Sequence, residues 1–429
     1  MIVRSLFYVY ALRGHLKLGI SELQQTQLQK LKATIKYAYE NVPFYKRKFD
    51  DAGVKVENIR SAADLAKFPI TTKSEIQRNS SQDLKAKGIE FSECLRKTTS
   101  GSTGIPLEIF VDRRALDFEN ALWTRALMEN GLRLRDKMTV LGDPRSFPKR
   151  KKWFESFGVA RRDYLSIFDD VADQMEALKN YQPDAIRSYP TALSAIASSS
   201  KGEEISVKPR SIFTFSELLD KTSRNVISSA FGSELFDNYA SSEFGLMAWE
   251  CREHNGYHVN IDSIVMEFCS HEEPVALGER GEIVCTSLSN RAMPLIRYKM
   301  DDVGIPVEDR CSCGRTLPLM RIIEGRKDDF LTTTDGKAIP PTIFFPFPFA
   351  NFDAIKQFRV IQERKDQLVV QIVPKMHSFN DPILLQNAQA NIHEIFGKDM
   401  NVEFQIAEQL DRDPSGKLRK IISHVSPSI

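Results

Sequence analysis

The chain has 429 residues, of which 42% are hydrophobic and 27% are charged, and its formal net charge is +2. This length allows a large core and more than one domain. The near-neutral charge provides no global basic field for binding nucleic acid or an anionic membrane. Six cysteines in so long a chain do not form a disulfide framework, so we expect a reducing, cytoplasmic location.

The first predicted element is an N-terminal helix within residues 1–20 that packs on the body of the protein. Arg13, His15 and Lys17 interrupt its apolar run, which is too short to span a bilayer. We therefore expect no integral membrane segment. A second helix is predicted within residues 21–50, with Ser21 as its N-cap and a stop at Asn41-Val42-Pro43, because the residue before a proline disfavours helix.

Residues 112–245 alternate between helical and strand patterns. Helices are predicted over 112–130 and 170–180, and a third follows a turn at Tyr189-Pro190. Strands are predicted near 137–144, before Tyr189, and within "RSIFTFSELL" (210–219) and "ELFDNYASSEFG" (234–245). This alternation predicts an α/β domain with a mainly parallel sheet, in which ligands bind at the carboxyl ends of the strands.

The pattern changes after about residue 260. The stretch "EFCSHEEPVALGERGEIVCTSL" (267–288) predicts antiparallel strands with a Gly-rich turn, and the last hundred residues are predicted to be β-rich with one or two helices. We place a domain boundary near Lys327–Asp328. The predicted fold class is therefore α/β, with a large N-terminal domain of parallel sheets and helices over 1–326 and a small, mobile α+β domain over 327–429.

A loop rich in small hydroxyls lies within "KTTSGSTGIPLEI" (97–109). Glycine permits backbone dihedrals that point successive amides inward, so such a loop can surround phosphate oxygens. No lysine follows the second glycine, which argues against an ordinary P-loop NTPase. Taken alone, the loop is a weak signal, because most Ser/Gly-rich stretches are flexible polar turns.

Six short blocks in one order resemble the adenylate-forming enzymes. Among these, the chain is most similar to the phenylacetate–CoA ligase family and its CapK-type relatives of polysaccharide loci, and the segments "NVPFYKRKF" and "CSCGRTLP" suit that branch. The resemblance spans nearly the whole chain. The blocks are "TTSGSTGIP" (98–106), "SELL" (216–219), "NYASSEFG" (238–245), "RYKMDDVG" (297–304), "EGRKDD" (324–329) and "DPSGKLRK" (413–420).

The resemblance implies an ATP-dependent acid–thiol ligase. In this family a carboxylic acid attacks the α-phosphate of ATP to give acyl-AMP, and a thiol, usually coenzyme A or a carrier-protein thiol, then accepts the acyl group. The alternative is a CapK-type adenylating enzyme of polysaccharide or secondary-metabolite biosynthesis that passes the acyl group to an amine or a carrier protein. A third hypothesis is a catalytically silent zinc-bearing binding module. The expected partners are a small carboxylic acid and the acceptor, with no nucleic acid and with a homodimer left open.

The resemblance also assigns site residues. Tyr239 would face the adenine, Glu243 would hold Mg²⁺ and act in catalysis, and Asp302 rather than its neighbour Asp301 would bind the ribose hydroxyls. Lys417 would neutralise charge during adenylation, and Asp328 would be the hinge of the small domain. The nucleotide-binding set is Thr99, Ser100, Gly101, Ser102, Thr103, Gly104, Ser216, Glu217, Asn238, Tyr239, Ser242, Asp302 and Arg326.

The chain departs from the family pattern at two positions. Many relatives carry a lysine just after the loop proline, whereas Leu107 stands here, and Ala240 replaces the glycine that follows the adenine-facing tyrosine. The loop amides would still hold the phosphates, and the exchange of glycine for alanine is small. Both assigned roles therefore remain expected.

A separate cluster of cysteine and histidine predicts a structural zinc site. Cys311 and Cys313 lie one residue apart, and Cys251 is followed by His254 and His258. Three thiolates and one imidazole would complete a closed tetrahedral Zn²⁺ site. We choose His258 as the fourth ligand because the strand-like run "YHVN" would hold it rigidly. Buried free cysteines with surface histidines are the alternative.

The acyl pocket is expected between Trp123 and Tyr189-Pro190, together with the loop before Tyr239. The aromatic side chains Trp123, Phe147, Tyr189 and Phe215 would flank an aryl acid, although each alone is also typical of a core position. The sequence leaves the acid itself and its acceptor open.

Overall fold

The computed structural model describes residues 2–99, 107–148, 153–199, 205–326, 330–339, 355–374, 382–412 and 418–425. Ser100, Gly101, Ser102, Thr103, Gly104, Asp328 and Lys417 lie outside the described residues, and Arg326 is described only as the last residue of a strand. Within the described part of the chain, no helix combines the length and the apolar character needed to cross a bilayer.

Ten α-helices lie in the described part of the chain. They are α1 (Ile2–His15), α2 (Ile20–Asn41), α3 (Pro43–Asp51), α4 (Lys73–Arg78), α5 (Ser81–Leu84), α6 (Arg113–Glu129), α7 (Val171–Tyr181), α8 (Pro190–Ser199), α9 (Lys221–Phe231) and α10 (Pro382–Phe396).

The same residues form twenty strands. They are β1 (Leu95–Thr98), β2 (Glu108–Val111), β3 (Lys137–Gly142), β4 (Arg161–Ser166), β5 (Ala185–Ser188), β6 (Ser211–Phe215), β7 (Glu234–Ser241), β8 (Gly245–Glu250), β9 (Tyr257–Val259), β10 (Ile264–Ser270), β11 (Glu273–Pro274), β12 (Gly281–Ser287), β13 (Tyr298–Val307), β14 (Leu319–Arg326), β15 (Leu331–Thr332), β16 (Ala338–Ile339), β17 (Ile355–Arg364), β18 (Gln367–Pro374), β19 (Asn401–Ile406) and β20 (Ile421–Ser423).

The helix boundaries follow from local sequence signals. Helix α2 ends at Asn41, and α3 begins at Pro43, as the proline predicts. Helix α6 is capped by Asp112, whose carboxylate accepts hydrogen bonds from two backbone amides of the first turn. The prediction of Ser21 as an N-cap was wrong: the N-cap is Gly19, two residues earlier, and Ser21 lies inside the first turn of α2.

The chain divides into two compact units, and each unit combines two separate stretches. The first unit contains residues 1–131 and 236–322, and the second contains residues 132–235 and 323–429. The chain passes from the first unit to the second for the last time between Ile322 and Ile323, close to the boundary predicted at Lys327–Asp328. The domain ranges 1–326 and 327–429 themselves remain a prediction.

The first unit is dominated by antiparallel strands. Strand β8 pairs with the end of β7 and with β9, and β9 pairs in turn with β14. Strand β12 lies between β10 and β13, and both pairs are antiparallel. The antiparallel strands predicted for residues 267–288 are confirmed. The core under these strands contains the fully buried Trp249, Met247 and Ile283.

The second unit contains a parallel sheet and a smaller sheet near the C-terminus. Strand β3 pairs with β4 and β5, and β5 pairs with β6, all in parallel. The C-terminal sheet has the order β19-β18-β17-β20, and its core includes Ala388 and Ile392 of α10. These observations confirm the predicted α/β class with a parallel sheet in the central part of the chain.

Candidate functional site

The flanks of the hydroxyl-rich loop are joined by two hydrogen bonds. The backbone amide of Thr99 donates to the carbonyl of Leu107 at 3.0 Å, and the amide of Leu107 donates to Thr99 Oγ1 at 2.9 Å. These bonds extend the β1–β2 pairing, in which Thr98 lies opposite Glu108. Leu107 is buried at the position where many relatives carry lysine. Thr99 and Leu107, the two described flanks of the loop, are therefore held next to each other by the hairpin.

Glu243 lies in a three-residue turn between β7 and β8. Ser241 is opposite Gly245 in the register, and the Phe244 amide donates to Ser241 Oγ at 3.1 Å. Gly245, the first residue of β8, has φ +67°, in the left-handed region that favours glycine. The half-buried Glu243 is thus held at a turn with a defined backbone.

This turn is fixed to neighbouring elements by Ser242 and Glu119. Ser242 Oγ donates to the Thr98 carbonyl at 3.3 Å, which places the turn beside the end of β1. Glu119 of α6 forms an ion pair with Lys97 at 2.6 Å, and its side chain occupies the space next to Gly245, where an added Cβ atom would overlap the Glu119 carboxyl group. The turn that contains Glu243, the predicted Mg²⁺ ligand, is therefore held in contact with the end of β1, from which the predicted phosphate loop starts.

Tyr239 and Asp302 are joined directly. The Tyr239 hydroxyl donates to Asp302 Oδ2 at 2.6 Å, and the tyrosine is buried. Burial, followed by the negative charge of Asp302, raises the pKa of Tyr239 well above its ordinary value. The phenol therefore stays protonated and continues to donate to the carboxylate. Asn238, the preceding residue on β7, is also buried, and its Nδ2 donates to the Phe236 carbonyl at 3.3 Å.

A bulge in β13 sets the direction of Asp302. Glu282 pairs with Val303 and Val284 pairs with Lys299, so one residue of β12 faces three residues of β13. Asp301, within this bulge, has φ +60°, in the left-handed region. Because a bulge redirects side chains, neighbouring carboxylates need not share a face. Asp302, rather than Asp301, accepts the Tyr239 hydroxyl, and its assignment to the ribose stays a prediction.

In the second unit, Ser216 and Glu217 follow β6. Ser216 has φ +70°. Glu217 accepts hydrogen bonds at 3.0 Å from the amide and the hydroxyl of Thr191, at the start of α8, and a third at 3.3 Å from the Leu418 amide. The carboxylate is thus bound to two distant parts of the second unit. The assignment of Glu217 to nucleotide binding remains a prediction.

Two of the aromatic residues assigned to the acyl pocket contact each other in the second unit. The Tyr189 and Phe215 rings meet edge to face, with centroids 5.1 Å apart. The guanidinium of Arg187 lies 4.4 Å from the centre of the Phe215 ring. Phe215 ends β6, Tyr189 follows β5, and Arg187 is the last residue but one of β5, so all three lie near the carboxyl ends of these parallel strands, where ligands of such sheets bind. Arg187 was not singled out in the sequence, because an isolated arginine at a strand end carries no local signal.

The predicted zinc ligands lie together in the first unit. One ligand atom from each of Cys251, His258, Cys311 and Cys313 lies within 4.8 Å of the others. Cys251 Sγ is 3.5 Å from Cys311 Sγ, and Cys313 Sγ is 3.3 Å from His258 Nε2. His254 is elsewhere: its Nδ1 is 3.5 Å from a carboxylate oxygen of Glu250.

The chemistry of this cluster fits a tetrahedral zinc ion. Separations of 3.3–3.5 Å between ligand atoms are close to the tetrahedral edges expected from Zn–S and Zn–N bonds of about 2.3 and 2.0 Å. Burial lowers the pKa of His258 to about 4, with Arg315 adding to the effect, so the imidazole is neutral and able to bind metal at pH 7. Burial raises the pKa of Cys251 to about 12.

Arg315 is a residue of this centre that the sequence analysis missed. Burial of Cys313 opposes ionisation, but hydrogen bonds from the Arg315 backbone and side chain lower the net pKa of that thiol. Arg315 Nη2 also donates to Glu129 Oε2 at 2.9 Å, which holds the guanidinium in place. The signal was present in "CSCGR", where an arginine follows the second cysteine by two residues.

Comparison with known proteins identifies the family. Residues 331–424 match the family model of the CapK C-terminal domain. The phenylacetate-coenzyme A ligase of Escherichia coli (strain K12) is 31% identical over 335 residues, which cover 75% of either chain. The phenylacetate-coenzyme A ligase of Thermus thermophilus is 24% identical and covers 94% of this chain and 96% of its own. Protein CapK of Staphylococcus aureus is 23% identical, with 94% and 90% covered.

Solved structures agree with these relatives in fold. A crystal structure of 2-hydroxyisobutyryl-CoA ligase in the postadenylation state, in complex with R3-HIB-AMP, has a TM-score of 0.77 at 20% identity and covers 95% of this chain and 91% of its own. The anthranilate CoA ligase AuaEII, in complex with anthranoyl-AMP, has a TM-score of 0.57 at 16% identity, with 75% and 65% covered. The fold is that of the adenylate-forming CoA ligases. The chain belongs to the phenylacetate–CoA ligase family, and the predicted resemblance is confirmed.

Proposed function

We propose that this protein activates a carboxylic acid with ATP and transfers the acyl group to coenzyme A. Membership of the phenylacetate–CoA ligase family supports the predicted AMP-forming acid–thiol ligase. The structural observation that carries the proposal is the Tyr239–Asp302 hydrogen bond of 2.6 Å, made by the two side chains assigned to adenine and ribose. Both lie in the first unit, which also contains the base of the phosphate loop and the Glu243 turn.

Each assigned side chain has a defined task in the first half-reaction. The face of Tyr239 stacks on adenine while its hydroxyl fixes Asp302, and Asp302 accepts hydrogen bonds from the ribose hydroxyls. The loop from Thr99 to Gly104 binds the phosphates, and Asn238 lines the nucleotide pocket beside Tyr239. The nucleotide contacts assigned to Ser216, Glu217 and Arg326 stay predictions. Glu243 would hold Mg²⁺, an ion that prefers carboxylate and phosphate oxygens and supplies charge neutralisation there.

The proposed reaction consists of two half-reactions, adenylation of the acid and transfer of the acyl group to the thiol. A carboxylate oxygen of the acid attacks the α-phosphorus of ATP, the bond to the bridging oxygen breaks, and pyrophosphate leaves. Lys417 neutralises the charge that develops on these oxygens. The thiol of coenzyme A first loses its proton to solvent. The resulting thiolate attacks the acyl carbon, the bond between the acyl carbon and the AMP oxygen breaks, and AMP leaves. Asp328 is the proposed hinge between the two steps.

We propose that the carboxylic acid substrate binds in an aromatic pocket. The edge-to-face contact of Tyr189 and Phe215 at the carboxyl ends of β5 and β6 supports an aryl side chain on the acid. The two relatives described above as phenylacetate-coenzyme A ligases point to the same class. We further propose that the protein works in the cytoplasm, where ATP and coenzyme A are available.

The cysteine–histidine cluster is proposed as a structural zinc centre. Four protein ligands leave no position for substrate, which is typical of a structural site. Cys251 follows β8, His258 lies on β9, and Cys311 and Cys313 precede β14, so a bound ion would cross-link three consecutive parts of the antiparallel sheet. Its role is to stabilise the first unit rather than to take part in the transfer.

Pyrophosphate exchange tests the proposed reaction. Purified protein with Mg²⁺, ATP and labelled pyrophosphate should form labelled ATP only when the correct acid is present, across a panel of aryl, fatty, amino and uronic acids. Lys417→Ala should abolish the exchange and leave the melting temperature unchanged. Acid-independent exchange, or exchange that survives in Lys417→Ala, would contradict the proposed adenylation.

One specific observation supports an alternative acceptor of the acyl group. Residues 331–424 match the CapK C-terminal domain, and Protein CapK aligns over 94% of this chain. In this alternative the acyl-AMP is formed in the same way, but an amine or a carrier protein takes the acyl group. Product analysis with and without coenzyme A separates the two: acyl-CoA formation supports the ligase, and turnover that ignores coenzyme A supports the alternative.

A further inference from the structure

The loop after β6 makes three different contacts with residues near the C-terminus, all within the second unit. We name residues 216–220 the docking loop. Leu218 packs against the hydrophobic core formed by β17, β18 and α10. Glu217 accepts a hydrogen bond from the Leu418 amide at 3.3 Å. Asp220 forms an ion pair with Lys420 at 2.8 Å.

The Asp220–Lys420 pair differs from an ordinary surface ion pair. The side chain of Asp220 is only 5% exposed and that of Lys420 is 23% exposed. Lys420 Nζ also lies 3.2 Å from Ser223 Oγ, so the ammonium has two oxygen partners in the first turn of α9. Burial alone would raise the pKa of Asp220, but the charge and hydrogen bond of Lys420, with Ser223, bring it below its ordinary value. Such a shielded, charge-assisted contact is stronger than an exposed one.

Glu217 is itself firmly held. Its carboxylate binds the amide and hydroxyl of Thr191, both at 3.0 Å, at the N-terminus of α8, where a negative charge is favoured. The Leu418 amide is therefore bound to an acceptor whose position α8 fixes. Leu418 and Lys420 are held at alternate positions of one short segment, and Lys417 directly precedes that segment in the chain.

We propose that Glu217 and Asp220 are positioning residues for the first half-reaction, because they hold Leu418 and Lys420 and so align the catalytic lysine at position 417. The inference rests on the proposed function. The docking loop stabilises the arrangement that forms acyl-AMP, and its contacts must break if residues 418–420 take another position during transfer to the thiol. Loss of the Asp220–Lys420 pair therefore slows adenylation and does not slow the thiol step.

The test compares the two half-reactions in matched variants. Lys420→Met removes the ammonium and keeps Asp220 as the cap of α9, and Asp220→Asn removes the charge with a residue that also caps helices well. Lys420→Arg is the conservative variant. Asp366→Asn is the control, because Asp366 lies 3.9 Å from Arg364 in an exposed pair of the C-terminal sheet. Adenylation is measured by pyrophosphate exchange, and thioester formation is measured from synthetic acyl-AMP and coenzyme A.

We expect Lys420→Met and Asp220→Asn to lower the exchange rate about tenfold, the scale of a charged hydrogen bond. Thioester formation from acyl-AMP should stay within twofold of the wild type or become faster, and Lys420→Arg and Asp366→Asn should leave both rates near the wild-type values. An equal fall in both half-reactions, or no fall in exchange, would overturn the positioning role. Failure of the proposed function is distinguishable, since the wild-type protein would then show no acid-dependent exchange at all.

Discussion

Replacing Asp262 with asparagine should destabilise the first unit strongly. Asp262 Oδ2 accepts a hydrogen bond at 2.6 Å from Arg125 Nη1, and Arg125 is completely buried. His15 contacts the other oxygen of the same carboxylate. Arg125 Nη2 donates to Asn260 Oδ1 at 2.6 Å. The substitution keeps the shape of the side chain but leaves a buried guanidinium with no countercharge from residue 262.

The depressed pKa of Asp262 gives the order of magnitude of the expected loss. Burial would raise this pKa, but the charge of Arg125 and the hydrogen bond with His15 lower it from 3.8 to about 2. At about 1.36 kcal/mol per pKa unit, this difference corresponds to about 2.5 kcal/mol. Because the folded-state pKa is depressed, the contribution is complete above pH 3.8 and is lost as the pH falls towards 2. Breaking one side of a buried pair adds the cost of the stranded charge, for a total of about 3–5 kcal/mol.

Urea unfolding at pH 7 measures this effect. Trp249 is a local fluorescence probe, because its Nε1 donates to Asn260 Oδ1 at 3.1 Å within the same network. Asp309→Asn is the control, since Asp309 lies 2.9 Å from Arg321 in a pair that is more than half exposed on both sides, and it should cost less than about 1 kcal/mol. The reasoning would be refuted if Asp262→Asn lowered the free energy of unfolding by no more than the control does. It would also be refuted if the difference between Asp262→Asn and the wild type stayed the same from pH 4 to pH 2.

Three further predictions concern the site. Tyr239→Phe removes the donor to Asp302 and should raise the KM for ATP about tenfold in pyrophosphate exchange, with a smaller effect on kcat; an unchanged KM would argue against the nucleotide assignment. Cys311→Ser should lower the zinc content and the melting temperature, whereas Cys94→Ser, outside the cluster, should change neither; equal zinc in both variants would exclude the centre. Gly245→Ala should cost about 1–3 kcal/mol, because φ is +67° and Glu119 fills the Cβ position; a fully stable variant would contradict this packing.

Sequence patterns predicted most helices, strands and turns, because the signals that start and stop these elements lie within a few residues of each other. The helix stop at Pro43, the turn at Tyr189-Pro190 and the strands of residues 267–288 depend on neighbours within a few positions. The Ser21 cap failed for the same reason that caps are hard to place: several residues near a helix start can serve, and here α2 starts at Ile20. His258 could be preferred over His254 because a strand pattern is local, and the structure places it with the three cysteines.

Contacts between distant residues could not be predicted in this way. The alignment of Asp302 with Tyr239 depends on a bulge in β13, and a bulge follows from pairing with β12 rather than from the sequence of β13 alone. The hydrogen bond between Glu217 and Leu418 joins residues 201 positions apart. Arg187 reaches the Phe215 ring from the neighbouring parallel strand. Each of these follows from strand order, which only the folded chain defines.

The composition of the second unit has a consequence for how the protein is made. This unit needs residues 132–235 and residues 323–429, so it cannot be completed until almost the whole chain has left the ribosome. At about 5–20 residues per second, the 201 positions between Glu217 and Leu418 correspond to a delay of about 10–40 s. During that interval Leu218 is not yet covered by the C-terminal core. Slow codons within the intervening segment would lengthen the time for which Leu218 is exposed. A chaperone that binds apolar loops of the nascent chain would cover Leu218 during that time.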